Sequence, residues 1–277
     1  RNIGLYSLTI QRFSSHPPQL SMPQSEEIIV IKFGSGILTH PDGIALDDTQ
    51  FDGLVNAVAK IHKVGKRPVI VSSGAAAAGM MAFGIKERPK DLSELQACCA
   101  VGQTRLMHFY ETLFRQYDLN VAQLLLTNED FSTPSRTSNV INTFDELLKH
   151  DNVIPIINEN DSVATEELKF GDNDSLSASL SIMINASLLI ILTEVDGLMD
   201  SDGNIIPVIH DIKEALNHVR SEKGTYSVGG MATKLEAASL ASRSGIPTMI
   251  ANGRKIDQIE QLINEEGVFT KISIGNE

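Results

Sequence analysis

From Ile28 onward, short β-branched and aliphatic runs alternate with amphipathic stretches. Parallel strands joined by crossover helices produce that rhythm in an α/β fold. Strands are predicted over 28–32, 68–72, 121–126, 153–157, 188–193 and 247–251. Several are apolar at consecutive rather than alternate positions, as happens when helices cover both faces of a buried parallel sheet. Phe51, Leu54, Val55, Val58 and Ile61 fall at helical spacing after Asp47 and Asp48, either of which can cap, and Gly65 closes the segment. Further helices are predicted over 92–115, 139–149, 175–186 and 231–244. Residues 1–25 break the pattern: they hold five serines and no acid. They read as an appended arm, natural or carried over from expression, with a weak bias toward a mitochondrial transit segment.

Size permits one large domain or two small ones in 277 residues. The composition, 42% hydrophobic and 21% charged, is that of a folded globular chain. The formal net charge of −12 repels phosphate backbones and anionic headgroups, so nucleic acid is not expected as a partner. The longest aliphatic run, 188–192, is far too short to cross a bilayer. Cys98 and Cys99 are neighbours and cannot staple distant segments, so they are expected as buried thiols in a reducing compartment. The seven histidines, at 16, 40, 62, 108, 150, 210 and 218, show no metal-ligand spacing. No dedicated protein cage for a metal is expected.

Ligands of open α/β sheets gather beyond the carboxyl ends of the strands. Three of those ends carry small or polar residues and bare backbone: Gly34-Ser35-Gly36, Ser72-Ser73-Gly74 and Asn158-Glu159-Asn160-Asp161. Backbone N–H groups there can approach an anion closely. The G-x-G-x-x-G, G-x-x-x-x-G-K-[ST], G-x-S-x-G and H-E-x-x-H signatures are all absent, which removes the commoner nucleotide-binding and hydrolase readings. Val228-Gly229-Gly230-Met231-Ala232-Thr233-Lys234 reads instead as a glycine turn opening a helix whose first turn carries a lysine. Its charge opposes the helix dipole there, and an anionic ligand would relieve that. Lys32 ends an apolar strand, so its ammonium needs a counter-charge, a ligand or a path to solvent. Between residues 158 and 174 six acids, Glu159, Asp161, Glu166, Glu167, Asp172 and Asp174, face one cation, Lys169. Without EF-hand spacing, such a cluster suits gripping an amino group and orienting lysines.

These motifs, in this order from residue 28 to about 253, resemble the amino-acid kinase family, and within it the glutamate 5-kinases. The resemblance rests on Ile31 to Ser35, Val71 to Ala75, Ala100 to Gln103, Pro155 to Asp161, Gly171 to Asp174 and Gly229 to Lys234. It implies a three-layer αβα sandwich with a mostly parallel sheet of about eight strands, in a single kinase domain over 26–277. Its N-terminal part would hold glutamate and its C-terminal part ATP. It implies phosphoryl transfer from ATP to the glutamate side-chain carboxylate, the first step of proline synthesis. Lys32 and Lys234 would neutralise the migrating group and Asp174 would hold both ammonium groups. Ser73, Gly74, Asn158, Asp161 and Asn173 would bind glutamate, with Asp161 on the α-amino group. Lys32, Gly34, Thr193, Glu194 and the stretch Val228, Gly229, Gly230, Met231, Ala232, Thr233 and Lys234 would bind ATP, with Mg2+ held mainly by nucleotide and water. Glu194 stands where the family usually carries Asp, Phe33 replaces a common Leu, and residues 224–228 are unusual. A cytoplasmic homo-oligomer, dimer or tetramer, without a PUA domain is expected, inhibited by proline at the glutamate site and supplying a glutamyl phosphate reductase. The competing readings are a kinase of acetylglutamate, aspartate or a nucleoside monophosphate, and a catalytically silent amino-acid sensor.

Overall fold

A computed structural model describes residues 27–41, 43, 45–164, 173–213, 215, 216 and 228–273. The predicted arm at 1–25, the acids Glu166, Glu167 and Asp172, and the segment 224–227 lie outside them.

Among the described residues, eight strands form one sheet in the order β3-β4-β2-β1-β5-β7-β8-β6. They are β1 (Ile28–Phe33), β2 (Arg67–Val71), β3 (Asn120–Leu126), β4 (Val153–Glu159), β5 (Leu188–Thr193), β6 (Val208–Ile209), β7 (Thr248–Asn252) and β8 (Phe269–Ile272). Every pairing is parallel except β7 with β8. The six predicted strands match β1, β2, β3, β4, β5 and β7 within two residues. β6 and β8 are additions: two residues carry no period, and Phe-Thr-Lys-Ile is too short and mixed to stand out from a loop.

The helices fall on the two faces. α2 (Asp48–Lys63) begins where the Asp47 carboxylate accepts from the Gln50 N–H at 3.1 Å, and Gly65 follows its end at φ +82°. It packs with α4 (Leu92–Phe114) on one face of the sheet; α6 (Pro134–Leu147), α7 (Asn173–Met183) and α8 (Val228–Arg243) cover the other. Strand alternation explains the division: Ile29, Ile31 and Phe33 belong to the first core, Ile28 and Val30 to the second. Lys32 therefore points to the α7–α8 side. It also sits mid-sheet, opposite Val71 on β2 and Ile191 on β5.

α3 (Ala75–Phe83) was not predicted, because its run of alanines is apolar on every face and shows no 3.6-residue period. Its start is set by Gly74, at φ +100°, a conformation that a β-carbon would strain. α3 and α4 meet backbone to backbone: a Cβ on Gly79 would lie 1.8 Å from the Cys98 carbonyl oxygen, and one on Gly102 1.8 Å from that of Ala75. The short helices α1 (Ser35–Leu38), α5 (Glu129–Ser132) and α9 (Ile256–Ile259) complete the frame. Among the described residues no helix is long and apolar enough to cross a membrane.

Candidate active site

β1, β2, β4 and β5 run parallel, so the loops after them open on the same edge of the sheet. Two adjoining cavities lie there, of about 720 and 560 Å3. Ser35, Gly36, Ser73, Asn173 and Glu194 line both. They form the seam between the cavities.

Lys32, Asp174 and Lys234 line the larger cavity. Asp174, the second residue of α7, is fully buried, and each of its oxygens takes one ammonium: Lys32 Nζ on Oδ1 at 2.5 Å and Lys234 Nζ on Oδ2 at 3.0 Å. Burial alone would raise the Asp174 pKa, but the two lysines outweigh it and hold the carboxylate below its ordinary value. Lys32 thus meets the demand read from its apolar strand with a counter-charge rather than solvent, its side chain being only 5% exposed. The trio carries one net positive charge. Lys234 lies in the second turn of α8, not the first, because the helix already begins at Val228. Its ammonium reaches back to the Gly230 carbonyl at 3.2 Å, toward the helix start.

Ser73, Gly74, Asn158, Asp161 and Asn173 all line the smaller cavity. The Asn173 amide nitrogen donates to Ser72 O at 2.6 Å, to Asn158 Oδ1 at 2.9 Å and to Ser73 Oγ at 3.1 Å. Asn158 in turn donates to Gln103 Oε1 at 2.9 Å. One amide therefore ties the ends of β2 and β4 to the first turn of α7, directly beside Asp174. Asp161 follows β4 in a turn tied to α4, where Gln96 Nε2 donates to Ala164 O at 3.1 Å. The Cys99 thiol hydrogen-bonds to the Asp161 carboxylate; burial, then that neighbouring negative charge, pushes the thiol up to about 12. Both cysteines are free and buried.

Of the residues expected around the nucleotide, Lys32, Gly34, Thr193, Glu194, Gly230, Met231 and Lys234 line the larger cavity. Ala232 and Thr233 stand behind them in α8, where the Thr233 hydroxyl donates to Gly230 O at 3.1 Å, and Val228 and Gly229 open that helix. Several lining residues were not anticipated. Asp196 closes the far side of the larger cavity, its carboxylate taking Lys255 at 2.8 Å and Asn252 at 3.0 Å. Arg254 braces the loop after β1, donating to Gly36 O at 2.6 Å and Thr39 O at 2.8 Å. Lys86 and Arg88 line the smaller cavity, and nothing in a charged surface loop would single them out beforehand.

A deep parallel sheet with two adjoining cavities at one edge carries a Lys–Asp–Lys cluster in the larger cavity, beside the seam. The chain belongs to the amino acid kinase family, whose sequence profile matches residues 27–252. Among its relatives, glutamate 5-kinase of Clostridium acetobutylicum is 44% identical over 249 residues, covering 87% of this chain and 92% of that one. Glutamate 5-kinase of Aquifex aeolicus is 44% identical over 226 residues, 81% of this chain; the chain spans only 63% of that relative's length. Solved structures agree on the fold. Carbamate kinase from Giardia lamblia bound to AMP-PNP superposes with a TM-score of 0.62 at 18% identity, covering 91% of this chain and 99% of that one. N-acetylglutamate synthase from Neisseria gonorrhoeae does so with a TM-score of 0.63 at 15% identity, covering 91% and 60%.

Proposed function

We infer that this chain transfers the terminal phosphoryl group of ATP to the side-chain carboxylate of L-glutamate, giving L-glutamyl 5-phosphate. The observation that carries the reading is Asp174 gripping Lys32 and Lys234 beside the seam between two cavities, one of a size for each substrate. The relatives named glutamate 5-kinase supply the choice of acceptor.

ATP occupies the larger cavity, with its phosphates between the Gly34 loop and the start of α8. Glutamate occupies the smaller one, its side-chain carboxylate turned to Ser73 and Asn173 at the seam and its α-ammonium to Asp161. The acceptor is already an anion, so no general base is needed, and both Asp174 oxygens are committed to lysines in any case. Catalysis reduces to placing the two anions in line and neutralising the equatorial charge that builds on the migrating group. Lys32 and Lys234 do this, and Asp174 keeps two like charges in one small space. Among the described residues no group of three or more His, Cys, Asp or Glu side chains forms a metal cage. Bound with the nucleotide, Mg2+ would supply further charge neutralisation, and Glu194 on the seam would hold it through water. Proline, sharing the amino-acid head group, competes at the acceptor cavity. Cytoplasmic location, a homo-oligomeric state and a glutamyl phosphate reductase consuming the labile acyl phosphate complete this reading.

The test is trapping of acyl phosphate by hydroxylamine with ATP and Mg2+. Hydroxamate with glutamate, and little with N-acetylglutamate or aspartate, is expected. Turnover of N-acetylglutamate alone would reassign the acceptor, and glutamate binding without hydroxamate would make the protein a sensor.

A further inference from the structure

Glutamate carries two carboxylates and one ammonium, and the proposed pose gives a partner to only two of the three. The side-chain carboxylate faces Ser73 and Asn173, beside the lysine pair, and the ammonium faces Asp161. The α-carboxylate would be left in a cavity whose lining already contains three acids, Glu159, Asp161 and Glu194. Such a cavity repels a second carboxylate unless cations line it too. Among the described residues, Lys86 and Arg88 are the only lysine and arginine that do.

Their placement is built in. Gly84, at φ +68°, stops α3, and the Ile85 N–H closes on Met80 O at 2.9 Å. Asp91 starts α4 by accepting from the Glu94 N–H at 2.9 Å. The stretch 84–91 is thus a short bridge between two helices locked backbone to backbone at Gly79 and Gly102. Arg88 is further located by Cys99: its guanidinium acts electrostatically on the thiol that hydrogen-bonds to Asp161. It shares the lining of this cavity with Cys99 and Asp161, the residue to which the proposed pose turns the amino-acid head group. Both cations are exposed, and no ion pair engages either of them among the described residues.

We propose that Arg88, assisted by Lys86, receives the α-carboxylate of the acceptor, so that Asp161 and this bridge together select a free α-amino-acid head group. The inference rests on the glutamate reading above. A guanidinium can take a carboxylate with two parallel N–H donors, whereas a flexible lysine supplies a point charge. Exposure limits each contribution, because water and salt screen it.

The test compares L-glutamate with L-isoglutamine, in which the α-carboxylate is a neutral amide and everything else is kept. In hydroxamate assays, wild-type kcat/KM should favour glutamate by about tenfold or more. R88A should raise the glutamate KM about fivefold, and K86A/R88A further, with kcat and the ATP KM within twofold. Isoglutamine KM should stay within twofold throughout, so discrimination collapses. R88K should recover part of the loss, and added salt should weaken glutamate binding in wild type more than in the double variant. An unchanged glutamate KM in K86A/R88A overturns the proposal, as does an equal rise for both acceptors. Wild-type protein that turns over no glutamate at all overturns the function together with the subsite.

Discussion

Replacing Asp174 by asparagine keeps the shape of the cluster and removes its only negative charge. Two ammonium groups, 2.5 and 3.0 Å from the same carboxylate, would then face each other across a neutral amide in a buried site. At an effective dielectric of about 20, each such contact is worth roughly 5 to 7 kcal/mol before desolvation is subtracted. Removing one member of a buried ion pair costs about 3 to 5 kcal/mol, because the partner is left unpaired. For a chain of this size that corresponds to a melting temperature lowered by about 10 °C. Activity should fall more steeply than binding: Lys32 and Lys234 would separate, with kcat down at least about 10²-fold. Thermal melts and hydroxamate assays, run on the same preparation, read both effects. The pH dependence gives a sign to check. Asp174 titrates below its ordinary value of 3.8 in the folded protein, so its stabilising share is complete above that pH and is lost as pH falls through the folded value. The gap in stability between wild type and D174N should therefore be constant at neutral pH and narrow below about pH 4. A variant with kcat within threefold of wild type, or a gap independent of pH down to 3, would refute the account of the cluster.

Lys234→Met, which keeps much of the stem, should lower kcat by at least about 10²-fold with the fold intact, since Asp174 keeps Lys32 as a partner; near-normal turnover would remove Lys234 from the reaction. Asp161→Ala should act mainly on the glutamate KM, since it removes binding made in ground and transition states alike, and a pure kcat loss would argue against its place at the α-ammonium. Gly102→Ala should destabilise by about 3 kcal/mol or more in denaturant titration, because the added methyl would meet the Ala75 carbonyl at 1.8 Å and backbone cannot step aside as a side chain can. A fully stable variant would show that the α3–α4 contact is looser than described.

The central strands were legible because Ile28–Phe33 and Leu188–Thr193 are apolar at every step, a local signal that burial on both faces leaves in the sequence. The same logic singled out Lys32 as an ammonium in need of a partner. What identified that partner was long-range: Asp174 and Lys234 approach Lys32 only because β1 presents its even-numbered side chains to the face carrying α7 and α8, and no local window contains that fact. Motif resemblance, not periodicity, linked the three. α3 was lost because an alanine run has no polar face to set a period, and the start of α8 because its glycines read as a turn. Lys86 and Arg88 escaped for a different reason: a cation that waits in solvent for a ligand leaves the same trace in a sequence as one that merely keeps a protein dissolved.

The glycine contacts between α3 and α4 also constrain how such a site can diverge. With carbonyl oxygens occupying the room that side chains would need, the two helices behave as a single slab behind the acceptor. Neither can slide or tilt to widen the chamber without parting from the other. A lineage seeking a bulkier or differently charged acceptor must therefore rewrite the connecting bridge or the turn after β4, and leave the slab alone.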